Sequence, residues 1–179
     1  MPEEELMTWF EYQKRNNVEL PEDEEYLTLV RDILENESVQ SMRNYIQHGQ
    51  TSCLDHSLHV SYLTYRYCKD HDLDYRAAAR AGLLHDLFLY DWHFCRRQVK
   101  GYFHGFTHPR KALRNAEEQF HLTARERDMI LRHMWPLTPI PPRYKEGYIL
   151  LWFDKCCSLC ETLAWQPGIL TLRPRRVRV

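Results

Sequence analysis

An adjacent imidazole and carboxylate, His85-Asp86, close the apolar-rich run ARAGLLHDLF. A chain that buries such a pair must bring it partners, because unpaired polar and charged groups are costly to remove from water. Candidate partners stand on both sides in sequence. The ordered set His56, His85-Asp86, His108, His133 and Asp154 points to a metal centre assembled from several helices. Imidazole nitrogen and carboxylate oxygen suit divalent ions of borderline or hard character, and helices can bring distant ligands onto one central site.

The rest of the chain agrees with a helical frame. Its 179 residues suffice for one sizeable core and hardly for two. Six glycines are few, which disfavours a glycine-rich dinucleotide fold and fits helices joined by short loops. The expected fold is all-α, a single compact helical domain. Residues 1–50 supply N-terminal helices packing on the core, 51–165 the metal-binding helical domain, and 166–179 a basic tail. A formal charge of −1 provides no global field for nucleic acid. The terminal RPRRVRV reads as solvated, with a local phosphate or partner contact as the alternative. The N-terminus is acidic, unlike a secretory signal, and no apolar run reaches the roughly 18 residues of a membrane span. A cytoplasmic protein is therefore expected. The six cysteines include Cys157-x-x-Cys160 without a second such pair, so reduced, packed thiols are expected.

Apolar spacing predicts helices over 4–16 and 23–35, with Leu27, Val30, Ile33 and Leu34 of the second facing the core. A further helix is expected around 37–48. A longer one opens in TSCLDHSLHVSYLTYRYC, with Leu54, Leu58, Leu63 and Tyr67 on its apolar side. Asp74 should cap the alanine-rich helix that leads to His85. Residues 88–106 lack a sustained period and read as a loop with one short helix. Pro109 suits the first turn of a helix over 109–120. Thr123 and Glu126 form a capping box for the next, which should stop before Pro136. Four prolines stiffen PLTPIPPRY, and an apolar helix from Tyr148 to Leu163 carries Asp154.

Neighbouring helical residues point about 100° apart, so His85 and Asp86 can share a site only at a helix end. The order His56, His85-Asp86, Asp154 resembles the HD superfamily of metal-dependent phosphohydrolases. DHSLHVSYLTYRYC is similar to that family's first helix, and AARAGLLHDL to its doublet-bearing helix. The resemblance spans roughly residues 52–163. It implies His56, rather than His59, as the first ligand, with His85, Asp86 and Asp154 completing a one-metal site. His108 and His133 stand where two-metal members add histidines, which implies two ions (iron, manganese or zinc) and a water activated for attack on a small-molecule phosphate ester.

One departure matters. Many members follow the doublet with a glycine and then a lysine, where this chain has Phe88 and Leu89. Arg96, Arg97 and Lys100 are the basic candidates to meet the substrate's charge, with Arg110 beside them. Asp86 is expected to bridge the ions, and Trp92, Phe94, Tyr102 and Phe103 to shape a leaving-group pocket or pack the loop. Two other readings stay open: an oxygen-dependent diiron oxygenase, and a degenerate nucleotide-binding regulator. Nucleic acid is a weaker partner, no membrane is implied, and a homo-oligomer is possible.

Overall fold

Local capping starts most of the helices. The computed structural model describes residues 23–94 and 104–165, with backbone alone for 163–165. Within them, α1 (Glu24–Leu34) is capped by Asp23, whose carboxylate accepts from the Tyr26 amide at 3.0 Å. Such a cap contributes about 1 kcal/mol. Val30 and Ile33 are buried, and Leu27 and Leu34 pack against the core's edge, as their spacing predicts. Tyr26 joins them, donating its hydroxyl to Ser61 Oγ at 2.8 Å.

The helix expected around 37–48 is largely replaced. A short α2 (Glu37–Ser41) passes through one 3₁₀ turn, Met42–Asn44, into a hairpin. Its strands β1 (Ile46–His48) and β2 (Thr51–Ser52) pair antiparallel, with a bulge between Ile46 and His48. Gly49 turns the chain at φ 59°, a conformation open to glycine at little cost. Among the described residues this ribbon is the sheet content of an otherwise all-α domain.

Ser52 ends β2 and also caps α3 (Cys53–Asp70), accepting from the Asp55 amide at 3.1 Å. Leu54 and Leu58 are buried on α3, whereas Leu63 and Tyr67 are 40% and 37% exposed, contrary to the expected stripe. The step from 58 to 63 turns about 140° around a helix, off the buried face. Val60, Tyr65 and Cys68 fill the core instead.

Asp74 caps α4 (Tyr75–Leu84) through the Ala77 amide at 3.0 Å, as expected. Ala77, Ala78, Ala79 and Ala81 are buried, and α4 lies close along α3. α5 (His104–Glu117) begins before Pro109, which therefore lies inside the helix rather than in its first turn. The ring removes the bond that would reach the Gly105 carbonyl. The capping box at Thr123 and Glu126 starts α6 (Ala124–Arg132), which stops short of Pro136. α7 (Lys145–Trp165) begins three residues before the expected Tyr148. Among the described residues no helix is long and apolar enough to cross a membrane. The predicted helix 4–16, the cations Arg96, Arg97 and Lys100, the aromatics Tyr102 and Phe103, and the basic tail lie outside the described residues.

Candidate metal centre

Two helices end at the same place. The last turn of any α-helix leaves carbonyls without partners. At the end of α4 the ring of His85 meets that need, donating from Nδ1 to Gly82 O at 2.7 Å. His133 does the same at the end of α6, donating to Ile130 O at 2.7 Å. Within α5, His108 donates from Nδ1 to His104 O at 2.9 Å. On α3, His56 holds Glu161 Oε2 of α7 through Nδ1 at 2.9 Å. In all four rings Nδ1 is tethered and Nε2 turns inward, the arrangement that fixes the tautomer and heading of metal-ligating histidines.

Two buried clusters result, His56-His85-Asp154 and His85-Asp86-His133. His56 Nε2 lies 3.2 Å from Asp154 Oδ1, and His85 Nε2 lies 3.9 Å from that same oxygen. Asp86 stands between the groups. Its Oδ2 is 3.4 Å from His85 Nε2, while Oδ1 is 3.3 Å from His108 Nε2 and 3.6 Å from His133 Nε2. The doublet works because α4 stops at Leu84, leaving Asp86 beyond the helix with its own heading. Leu89 then takes φ 56°, a left-handed turn rare for leucine, as the chain leaves the site.

The donor set fits a divalent cation. His85 Nε2 and Asp86 Oδ1 are buried without a hydrogen-bond partner. His108 Nε2 and His133 Nε2 approach to 2.8 Å while both Nδ1 atoms serve carbonyls. Two neutral rings would then oppose lone pairs, a conflict that a proton or a metal ion between them relieves. Burial, then the neighbouring His108 and His85 rings, push His133 well below the ordinary histidine value, leaving that lone pair free. Asp86 and Asp154 are both held below the usual carboxylate range. Burial opposes this, but the His85 and His108 rings outweigh it at Asp86, and His56 and Lys155 at Asp154. These clusters point to a metal-binding site for one or two divalent ions.

For His56 burial works downward, yet the Asp154 and Glu161 carboxylates prevail and push it up to about 10. A raised histidine contributes stability that is complete below its ordinary value of 6.5 and lost as pH climbs through about 10. The depressed Asp86 and Asp154 contribute stability above their ordinary value of 3.8, lost as pH falls. Through these groups the melting temperature of chelator-treated protein should therefore be highest between pH 3.8 and 6.5 and decline toward both limits. A thermal scan that stays flat between pH 6 and 10 would contradict the His56 pairing.

A cavity of about 420 Å³ opens on the clusters. Gln47, His48, Trp92, His104, Trp135, Leu137, Lys155 and Ser158 line it, together with Asp86, His108, His133 and Asp154. His104 is not in either cluster. It stacks on Trp92 and His108, accepts or donates at Tyr90 Oη across 3.0 Å, and is driven down to about 3 by burial and then by His108. His59 is half exposed, 3.8 Å from Glu161 Oε1 and away from the clusters. Asp91 accepts from the His93 and Phe94 amides and stabilises a turn. Phe94 faces solvent, while Trp92 lines the cavity as expected of a pocket aromatic. Arg110 is exposed and does not line it.

Three residues near the site were missed in the sequence. Glu161 lies seven residues, about two helical turns, after Asp154, so a carboxylate on the same face of α7 was the available clue. Lys155 follows Asp154 directly, and its Nζ rests 2.7 Å from Asp154 Oδ2 at the cavity wall. Gln47 sits on a strand where a helix was expected. The described cysteines are free, and Cys157 and Cys160 form no pair. No protein-family model, curated protein or solved structure matches the chain, so its function is read from this site.

Proposed function

We propose that the chain is a metal-dependent phosphohydrolase of the HD type, acting on a small phosphate ester. The observation that carries the reading is Asp86, whose two oxygens face different histidines while three tethered imidazoles converge on it. His56, His85 and Asp154 would hold one ion, His108 and His133 the other, with Asp86 shared. A bound divalent ion lowers the pKa of its water and offsets charge on phosphate oxygens. Iron, manganese and zinc all suit this mixture of imidazole and carboxylate.

The chain's own groups do the remaining work. Glu161 holds the His56 ring by its far nitrogen, so that Nε2 stays toward the centre. Trp92, Trp135 and Leu137 wall the cavity and limit water. Among the described residues Lys155 is the cation that lines it, with its side chain 45% exposed. From its place beside Asp154, the ammonium would pair with a phosphate oxygen, in the role expected of Arg96, Arg97 and Lys100. Those three remain proposals for the same charge.

Elemental analysis of protein purified anaerobically without chelator tests the reading. Close to two ions per chain, with release of phosphate from a panel of mono- and diesters, is the expected result. Absence of metal after reconstitution would overturn it and favour the regulator. Oxygen uptake by the iron-loaded protein, without phosphate release, would favour the oxygenase. Lys155→Ala should raise KM about 10- to 100-fold, the worth of one charge-assisted hydrogen bond, with metal content unchanged. An unaltered KM would remove Lys155 from substrate binding.

A further inference from the structure

Gln47 is a polar side chain in an unusual position. It occupies the bulge of the hairpin, where the ladder pairs Ile46 with Ser52 and His48 with Thr51, leaving Gln47 without a cross-strand partner. Bulges turn side chains away from the regular alternation and are frequent beside active sites. Here Ile46 faces solvent, while Gln47 is 5% exposed and, with His48, lines the cavity.

Its amide has a determined orientation. Gln47 Nε2 donates to Asp86 Oδ2, and a carboxylate can only accept, so the amide nitrogen must be the atom on that side. Gln47 Oε1 is thereby directed elsewhere, and it is buried with no hydrogen-bond partner. A buried amide oxygen without a donor is destabilising in a finished fold. Such an atom is retained where something not belonging to the chain supplies the donor. Asp86 Oδ1, on the same carboxylate, is also buried without a hydrogen-bond partner.

On the reading of the site given above, we infer that Gln47 is the positioning residue of the centre. Through Nε2 it fixes the plane of the Asp86 carboxylate, so that one oxygen serves His85's side and the other the His108–His133 side. Through Oε1 it accepts a hydrogen bond from the water held in the cavity and aligns it. Gln47 touches no reacting phosphorus and supplies no proton. Its effect passes through Asp86 and through the direction of one O–H bond.

Gln47→Leu removes both bonds at nearly constant volume, and Gln47→Glu keeps an acceptor while setting a carboxylate against Asp86. Manganese and zinc affinities, measured by chelator competition on the full-length chain, give the first readout. Removing a group that orients a metal ligand costs about 10- to 100-fold in affinity. In Gln47→Leu one of two ions should weaken by that factor while the other stays, and kcat should fall with KM unchanged. The metal-free melting temperature should change little, because losing the donor to Asp86 is offset by removing a buried acceptor without a partner. A purely structural Gln47 would show the reverse: a lower metal-free melting temperature and wild-type affinity for both ions. That result overturns the inference and leaves the metal centre standing. A wild-type chain that takes up no metal overturns the centre itself, and the inference with it. In Gln47→Glu both oxygens are acceptors, so the donor to Asp86 is lost and the same ion should weaken; undiminished affinity and kcat in that variant also overturn the inference.

Discussion

Asp86→Ala should bind at most one ion and lose turnover by about a thousandfold or more, a loss of the size produced by deleting a group that stabilises developing charge. The side chain is 2% exposed and faces three imidazoles and the Gln47 amide. Alanine would leave the Gln47 donor without its acceptor, and His85, His108 and His133 without the carboxylate they face. Breaking a buried charged contact by removing one partner costs about 3–5 kcal/mol, so this variant can also fail by unfolding. Asp86→Asn separates the two effects. Its amide oxygen can still accept from Gln47, and its amide nitrogen can donate toward the His108–His133 pair, so the metal-free fold should lose only what the charge of Asp86 contributes and melt above the alanine variant. It should nonetheless lose the shared ligand and the activity. Elemental analysis, a thermal scan and phosphate release on the same preparation decide the matter. Retained turnover in Asp86→Asn would eliminate Asp86 as the bridging group.

Gly82→Ala should be the most damaging single methyl in the described core. A Cβ at this position would lie 2.6 Å from Ser61 Cα, 3.1 Å from Ser61 Cβ and 3.2 Å from Ser61 N. Backbone atoms cannot step aside by changing rotamer, so α3 and α4 would have to separate. Ser61 is tied on both sides, donating to Ala79 O at 2.6 Å and accepting from Tyr26 at 2.8 Å. Overpacking costs about 1–3 kcal/mol or more, partly offset by the roughly 1 kcal/mol gained in helix propensity. With backbone in the way, the upper end applies and the melting temperature should fall by about 5–10 °C. Gly105→Ala makes the control: its Cβ would approach Leu137 Cδ2 at 2.7 Å, the free end of a flexible side chain. Similar melting temperatures for the two variants would refute the close-contact argument. The Gly82 carbonyl also anchors the His85 ring, so metal affinity should fall with stability in Gly82→Ala.

The helices were legible in sequence where a cap and an apolar stripe agreed, as at Asp74, Thr123 and the Val30–Ile33 face of α1. The clustered residues were legible because an imidazole–carboxylate doublet within an apolar run has few stable explanations. Other features depend on neighbours distant in sequence. Strands of three and two residues carry too few positions to display alternation, so the hairpin, and Gln47 with it, read as helix. Leu63 and Tyr67 are apolar residues that happen to face outward, and apolar character alone does not force burial. Lys155 was hidden by its surroundings: a lysine beside Asp154 on a helix ordinarily serves the solvated face.

The carbonyl ends of α4 and α6 both finish at the centre, capped by His85 and His133. A helix carries roughly half a negative charge at that end, concentrated in its last turn. Asp86 and Asp154 add two buried carboxylates and Glu161 a partly buried one, against one lysine and the His56 ring. The side chains of the centre consequently make a well for positive charge and a barrier to anions. On the proposed reading, a phosphate ester would meet a favourable field only after cations have entered, which would give binding an order: metal first, ester second.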